Sequence, residues 1–393
     1  MDAPILTPTY WGFKRTMWIT CLQENLSRGL GVVGRAVATR ATLPVTQNVL
    51  LTTDQSRLKL TATNLEIAIS TWIGAQIDHE GSVTIPARLL TEFVNQLPDD
   101  RIEIDLLDNP LSVGLECARF KANMNGTAAE EFPPIPTVDD GTTVVVPADV
   151  MKGAIERVAF AAATEDSRPV LTGIKVELTG KKLTLAAADG FRLGVETVEL
   201  DTAIEQDMGF IVPARTMQEV QRLIGDRADE VTITVTEPAS QVLFKFGDIE
   251  IVSQLVQGSF PDYEKLIPAT SGTTATMKLQ DFLQATRAAA VFARDGSGIV
   301  RLIVSPGDDD GSGTVTVASR AEELGDNEGK FEATIDGDEA KVAFDSRYLL
   351  DVLGVLGTGT VTLETTTPSS PGVIRATDRD GYTHVVMPMF VQW

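Results

Sequence analysis

Apolar residues fall in two patterns along this chain. In some stretches they recur every three or four positions; in most of the remainder they alternate with polar residues one by one. The first pattern is clearest in three related segments: IPARLLTEFVNQL from Ile85 to Leu97, VPARTMQEVQRLI from Val212 to Ile224, and the looser FDSRYLLDVLGVL from Phe344 to Leu356. Leu89, Leu90, Phe93, Val94 and Leu97 form one stripe, and Met217, Val220, Leu223 and Ile224 another, at the spacing of a helix with one buried face. A proline in the first turn costs nothing, because its missing N–H has no intrahelical partner there. Helices are predicted over 19–40, 86–97, 148–163, 213–224, 279–294 and 345–356. Between them, alternating runs such as VTQNVLLTTDQSRLKLTATNLEIAIS and LTGIKVELTGKKLTLAAADGFRLGVE read as hairpins with one face on a core.

The related segments are 127 and 132 residues apart. That step is too long for a solenoid unit of roughly 20 to 50 residues, so each copy is expected to be a whole domain with its own core. The predicted fold class is α+β: three tandem domains, each with two helices on one side of about eight antiparallel strands. Proline-rich linkers at Phe132 to Gly141 and Pro261 to Gly272 place the domains at 17–142, 143–271 and 272–393. Residues 1–16 are left over as an extension expected to be disordered.

Composition narrows the function. The chain has 393 residues, 43% of them apolar, and no run of about 18 to 20 apolar residues that a membrane helix needs, nor an apolar signal core at its start, so a cytoplasmic location is expected. Two cysteines, Cys21 and Cys117, and two histidines, His79 and His384, show no metal-ligand spacing, and no cofactor or metal is expected. Gly29, Gly31 and Gly34 spell GxGxxG with Asp54 beyond, but they sit inside an apolar helical stripe rather than after a buried strand. Asp308-Asp309-Asp310-Gly311 and the acidic run at 336–339 lack a calcium loop and read as hairpin turns. Nothing resembles a catalytic triad or a tuned acid/base pair, so the chain is not expected to be an enzyme.

The net charge is −22, which argues against a nucleic-acid surface. The six predicted helices together carry +3, leaving −25 for everything else. Either a neutral-to-basic helical layer lies against an acidic strand layer, or helices are simply poorer in acid than loops.

The threefold repeat, Thr42-Leu43-Pro44, Asp189-Gly190-Phe191-Arg192-Leu193, Gly258-Ser259-Phe260-Pro261-Asp262-Tyr263 and Val385-Val386-Met387-Pro388-Met389 together resemble the bacterial DNA polymerase III β sliding clamp family, from about Met17 onward. The resemblance implies a head-to-tail homodimer of three-domain subunits closed around duplex DNA, a processivity factor for the replicative polymerase opened by a clamp loader. Physics agrees: a ring held by topology needs little phosphate affinity and no sequence readout, which suits an acidic protein. Candidate DNA-facing residues are Arg28, Arg35, Arg40, Arg88, Lys152, Arg157, Arg168, Arg215, Arg222, Arg287, Arg294 and Arg347, of which Arg40 and Arg168 match family positions that touch DNA. Each also has a plainer reading as a solvated helix-surface residue. The family further implies a peptide groove walled by Leu171, Gly190, Phe191, Arg192, Leu193, Pro261, Lys265, Leu266, Val385, Val386, Met387, Pro388 and Met389. Such a groove would take linear motifs with leucine and phenylalanine anchors from polymerase, loader and repair proteins. Phe191 stands where the family often has histidine and Lys265 where it has arginine. Pro169 and Val170 stand where better-studied relatives have aromatics, and the tail Phe390-Val391-Gln392-Trp393 is positioned to crowd the pocket mouth. The alternative reading is an enzyme on triplicated β-rich domains acting on carbohydrate or nucleotide.

Overall fold

The computed structural model describes residues 15–392 except 41, 109, 137, 139, 166, 205, 226–228, 237–238, 294–297, 308–310, 322 and 324. Most of the leading extension, together with Arg294, Asp308 to Asp310 and Trp393, therefore lies outside the described residues.

One order of elements occurs three times. The first third runs β1 (Arg15–Leu22), α1 (Gln23–Val33), β2 (Asn48–Asp54), β3 (Arg57–Thr63), β4 (Ile67–His79), β5 (Ser82–Pro86), α2 (Ala87–Val94), β6 (Arg101–Asp108), β7 (Leu111–Cys117) and β8 (Phe120–Asn125). The second runs β9 (Thr142–Pro147), α3 (Ala148–Val158), β10 (Gly173–Thr179), β11 (Lys182–Ala188), β12 (Arg192–Glu199), β13 (Met208–Pro213), α4 (Ala214–Ile224), β14 (Glu230–Val235), β15 (Gln241–Phe246) and β16 (Ile249–Gln254). The third runs β17 (Thr273–Lys278), α5 (Leu279–Ala293), β18 (Ile299–Pro306), β19 (Ser312–Ala321), β20 (Gly325–Gly337), β21 (Ala340–Asp345), α6 (Ser346–Val355), β22 (Thr360–Thr365), β23 (Gly372–Ala376) and β24 (Tyr382–Val386). Each third thus has two helices and eight strands among the described residues.

The strands form two twelve-stranded sheets, each the centre of one compact unit. The first unit combines the chain up to Val145 with Leu223–Gln254; the second combines Val146–Arg222 with the chain from Leu255 onward. Repeat and compact unit therefore do not coincide. The second third contributes β14 to β16 to the first sheet, where β16 pairs β4, and β10 to β13 to the second sheet, where β12 pairs β24. Among the described residues the ladders are antiparallel, with apolar residues alternating inward, as in the buried, exposed, buried rhythm of β6. The last third has a core of its own, in which Phe282, Phe344, Leu349, Val352 and Tyr382 are buried.

Local chemistry explains the helix starts. Pro86 sits one position earlier than expected, as the N-cap residue that ends β5, and Pro147 likewise ends β9 as the N-cap of α3; neither provides a side-chain cap. In the third copy Asp345 replaces proline, and its carboxylate accepts the Arg347 N–H at 2.8 Å, a true N-cap. Three sequence expectations need correction. Residues 19–22 belong to β1, because the alternation Met17, Ile19, Cys21 is buried on one face against β4 and β6. The long first helix is α1 followed by a short 3-10 turn at Gly34–Ala36. Leu89 leaves the α2 stripe and is 50% exposed. Gly29 also gains a packing reason: a Cβ there would lie 2.6 Å from Leu60 Cδ1 and 3.1 Å from Ile73 Cγ2, so α1 sits on β3 and β4 only because the side chain is absent.

The cysteines are buried and unbridged. Cys21 on β1 and Cys117 on β7 both face Ile102 of the intervening β6, which separates their Cα atoms by about two strand spacings, roughly 9 to 10 Å, beyond disulfide reach. Burial pushes the Cys21 thiol up to about 12, so it is not a nucleophile near neutrality.

Candidate functional site

A hollow of about 770 Å³ lies in the second unit. Three elements build it: the loop after α3 (Ala162 to Arg168), the turn entering β12 (Asp189 to Arg192) and the first turns of α6 (Arg347, Tyr348, Asp351). Asp189 organises the turn. Its Oδ1 accepts the N–H groups of Phe191 (2.8 Å) and Arg192 (3.0 Å), and its Oδ2 accepts Arg192 Nε at 3.0 Å. Gly190, at φ +95°, supplies the left-handed step between them. The turn leaves Phe191 60% exposed. Arg192 also pairs with Asp351, and its guanidinium stacks 4.5 Å from the Tyr348 ring centroid and 5.4 Å from that of Phe160.

An apolar cluster forms the floor: Leu171, Ala186, Ala188, Leu193, Tyr263 and Val385, flanked by Val170, Phe260 and Ile267. A smaller hollow of about 160 Å³ opens on the Pro261 side, lined by Lys175, Glu177, Phe260, Asp262, Tyr263 and Glu264. There the Tyr263 hydroxyl donates to Glu177; burial first, and that bond second, raise the phenol pKa.

Leu171, Gly190, Phe191 and Arg192 line the larger hollow and Pro261 the smaller. Leu193 and Val385, 2% and 3% exposed, are floor beneath the surface rather than wall. Val386 is a correction: it belongs to the core of the last third and has no exposed surface. Met387 is half-exposed and tied to the turn by its N–H, which donates to the Phe191 carbonyl at 2.8 Å. Leu266 is exposed, as is Lys265, which pairs with Asp262. Pro388 and Met389 line neither hollow. The described part of the tail, up to Gln392, runs elsewhere: Met389 N–H bonds the Ala343 carbonyl, and Arg301 donates to the Gln392 carbonyl, which leads the chain along β21 and β18. Sequence reasoning missed Tyr348 and Asp351, whose only signal was their place in the first turns of α6.

The basic residues divide by environment. Arg40, Arg215 and Arg287 are exposed, and Lys152 is half-buried on α3. Arg35 is exposed in the turn after α1. Arg28, Arg88 and Arg222 pair within their own helices with Glu24, Glu92 and Glu219. Arg347 pairs with Asp345 and, like Arg168, lines the larger hollow. Arg157 is the second correction: it is 9% exposed and bound to Glu196 at 2.6 Å, so it faces the core rather than any ligand.

Comparison with known proteins decides the family. The family models for the N-terminal, central and C-terminal domains of the DNA polymerase III beta subunit match residues 17–136, 145–262 and 264–390. The chain belongs to the DNA polymerase III beta-subunit family. It is 31% identical over 396 residues to the beta sliding clamp of Synechocystis, covering 95% of this chain and 99% of that one. The crystal structure of the DNA polymerase sliding clamp from Bacillus subtilis superposes with a TM-score of 0.91 at 27% identity, covering 96% of this chain and all of that one. A Caulobacter crescentus beta sliding clamp, 29% identical with a TM-score of 0.88, covers 95% of this chain and 100% of its own; it was crystallised with polyethylene glycol at a putative beta-motif tethering region.

The corresponding place in the first unit is filled differently. In the first unit the residues 125 positions earlier are Thr61, Thr63, Ala68 and Ser70 in place of Ala186, Ala188, Leu193 and Val195. Thr61 and Ser70 bond each other at 2.9 Å, and Thr63 donates to the Ile67 carbonyl. With Pro133 to Pro136 against them, only about 100 Å³ remains. Hydroxyl pairs replace the apolar floor.

Behind the groove lies a buried polar cluster. Tyr382 donates to the Arg157 carbonyl at 3.2 Å, and His384, fully buried, lies 5.4 Å from Phe160 between ring centroids. Burial, then the Arg192 charge, lower the His384 pKa from 6.5 to about 3. The folded state therefore keeps this imidazole neutral, while the unfolded chain takes up its proton below about 6.5. Its contribution is intact above about pH 6.5 and is lost as pH falls toward 3. We expect urea midpoints of His384→Gln to depend less on pH than wild type between 6.5 and 4; parallel curves would contradict this.

Proposed function

We propose that this chain is a DNA sliding clamp: two copies join head to tail into a ring around duplex DNA and tether the replicative polymerase, the clamp loader and other partners through short motifs held in the groove above. The reading is supported by the family membership, by relatives named beta sliding clamps, and above all by the edges that the fold leaves open.

At each junction within the chain, the last strand of one third pairs with the fourth strand of another, β16 on β4 and β24 on β12. By the same rule β8 calls for the fourth strand of a third, β20. Among the described residues β8 pairs only β7, and the first half of β20 pairs only β19. A second copy supplies the partner. Transferring the register Ile249↔Thr71 through the repeat puts Phe120 opposite Gly329 and Lys121 opposite Glu328. Unlike charges then meet across the new ladder. Exposed arginines along the helices would meet phosphates without reading bases, and enclosure rather than affinity would hold the ring on an otherwise repelling polymer.

The test joins Lys121→Cys to Glu328→Cys with a short bismaleimide after loading on nicked circular DNA. The buried native thiols stay silent. Cross-linked protein should remain on the circle in high salt and leave when the circle is cut. Cross-linking without retention would overturn the topological reading, and retention on the cut DNA would do the same.

A further inference from the structure

The two junctions inside the chain share one backbone arrangement but are filled with opposite chemistry. A constant offset of 125 relates α1 with β4 to α3 with β12: Gln23 and Ala148 begin the helices, and the hairpins Arg57↔Gly74 and Lys182↔Glu199 close in the same register. On the helix-covered face of the first junction stand Ile69 and Thr71, opposite Ile251 and Ile249, beneath Val32. The equivalent places in the second junction hold Gly194 and Glu196, opposite His384 and Tyr382, beneath Arg157. Aliphatic side chains have become a buried ion pair with a tyrosine and a neutral histidine.

The shapes are exchanged as well. In the first junction the helix gives way, at Gly29, whose absent side chain makes room for Leu60, Ile73 and Thr71. In the second the helix carries Ala154 at that place and the strand gives way, at Gly194, where a Cβ would already touch the Arg157 carbonyl, the Val158 Cα and His384 Nδ1 at 3.5 Å. The space that Arg157, Glu196, Tyr382 and Arg379 fill in the second junction is, in the first, an open cleft of about 370 Å³ lined by Arg28, Val32, Thr71 and Ile249. The two junctions are therefore filled differently.

We propose that the Arg157–Glu196–Tyr382–His384 cluster is a recognition code that makes β24 select β12 and reject β4 while the chain folds. The problem is real for any triplicated sheet protein. β8, β16 and β24 are related closing strands, β4, β12 and β20 are related acceptors, and backbone bonds alone do not tell them apart. β24 on β4 would bury Tyr382 and His384 against Thr71 and Val32 with no charged partner. β16 on β12 would cover Glu196 with Ile249 and Ile251, leaving Glu196 with a poorer polar shell. Either error takes Arg379 away from the buried Glu196 carboxylate, which it approaches at 3.7 Å, and leaves that charge less well compensated. Buried polar pairs act this way in coiled coils, where they fix register at the expense of stability.

The test uses the full chain. Arg157→Leu/Glu196→Leu converts the second junction toward the first, and a cysteine at Thr383 paired with one at either Val195 or Ser70 reports native or crossed pairing, since Thr383 lies opposite Val195 in the native ladder and would lie opposite Ser70 in the crossed one. After dilution from urea, the double variant should show a several-fold higher ratio of crossed to native cross-link, and more misassembled oligomer in size-exclusion chromatography. A wild-type ratio in the refolded variant would overturn the proposal. Should the double variant not fold, Glu196→Gln, which retains size and removes the charge, must raise the same ratio; no change there would overturn it equally.

Discussion

Replacing Glu196 by alanine should destabilise the second unit by roughly 3 to 5 kcal/mol, because it leaves a buried guanidinium without its counter-charge. The Glu196 side chain is 1% exposed and that of Arg157 11%, with 2.6 Å between them. Arg379, 3.7 Å from the same carboxylate, is half in water and turns to solvent when its partner is removed. Arg157 has no such exit, since its guanidinium lies between Gly153 of its own helix and Glu196 of β12. The cost of the single change therefore reflects a stranded charge rather than the net strength of the pair. Arg157→Leu/Glu196→Leu, which removes both charges together, should recover most of that loss. Urea denaturation followed by circular dichroism measures both. A loss under about 1 kcal/mol for the alanine variant would mean that water reaches the Arg157 guanidinium.

The triplication was legible because hydrophobic period and turn chemistry are local: the Pro-Ala-Arg segments, the hairpins and eight strands per third all follow from spacing. What was not legible is long-range. Whether the second third stands alone or lends β14 to β16 to one sheet and β10 to β13 to another depends on which closing strand meets which acceptor, and no local pattern states that. Arg157 shows the same limit at one residue. On a helix between Ile155 and Val158 it reads as a surface cation, and only Glu196, 39 residues away on β12, turns it inward. Leu171, Gly190, Phe191 and Arg192 do line one hollow, and its turn, Asp189 to Arg192, was legible because it is contiguous. Tyr348 and Asp351 arrive from more than 150 residues later and were missed, while Val386 was misplaced because alternation along β24 alone does not say which face meets the core.

The turn before β12 decides how the groove must be tested, because Phe191 lies in it and Leu193 lies in the strand. Leu193 and Phe191 are two residues apart, yet one is floor and the other rim. Leu193→Ala opens a cavity under the apolar cluster and should cost about 2 to 5 kcal/mol of stability, so a loss of peptide affinity there would not separate recognition from folding. Phe191 and Met387, 60% and 43% exposed and joined by the Met387 N–H bond to the Phe191 carbonyl, have apolar surface still to bury. Phe191→Ala/Met387→Ala should weaken a leucine and phenylalanine motif peptide by about 2 to 4 kcal/mol, roughly thirty-fold to several hundred-fold, with the thermal midpoint little changed. Calorimetric titration of one synthetic peptide into both proteins reads the difference. Unchanged affinity would place peptide recognition away from this rim. A matching fall in the thermal midpoint would show that the two side chains support the Asp189 turn rather than the ligand. Phe191→His then separates shape from polarity: if an apolar face is what the motif needs, the imidazole should weaken binding more at pH 5.5, where it is charged, than at pH 8.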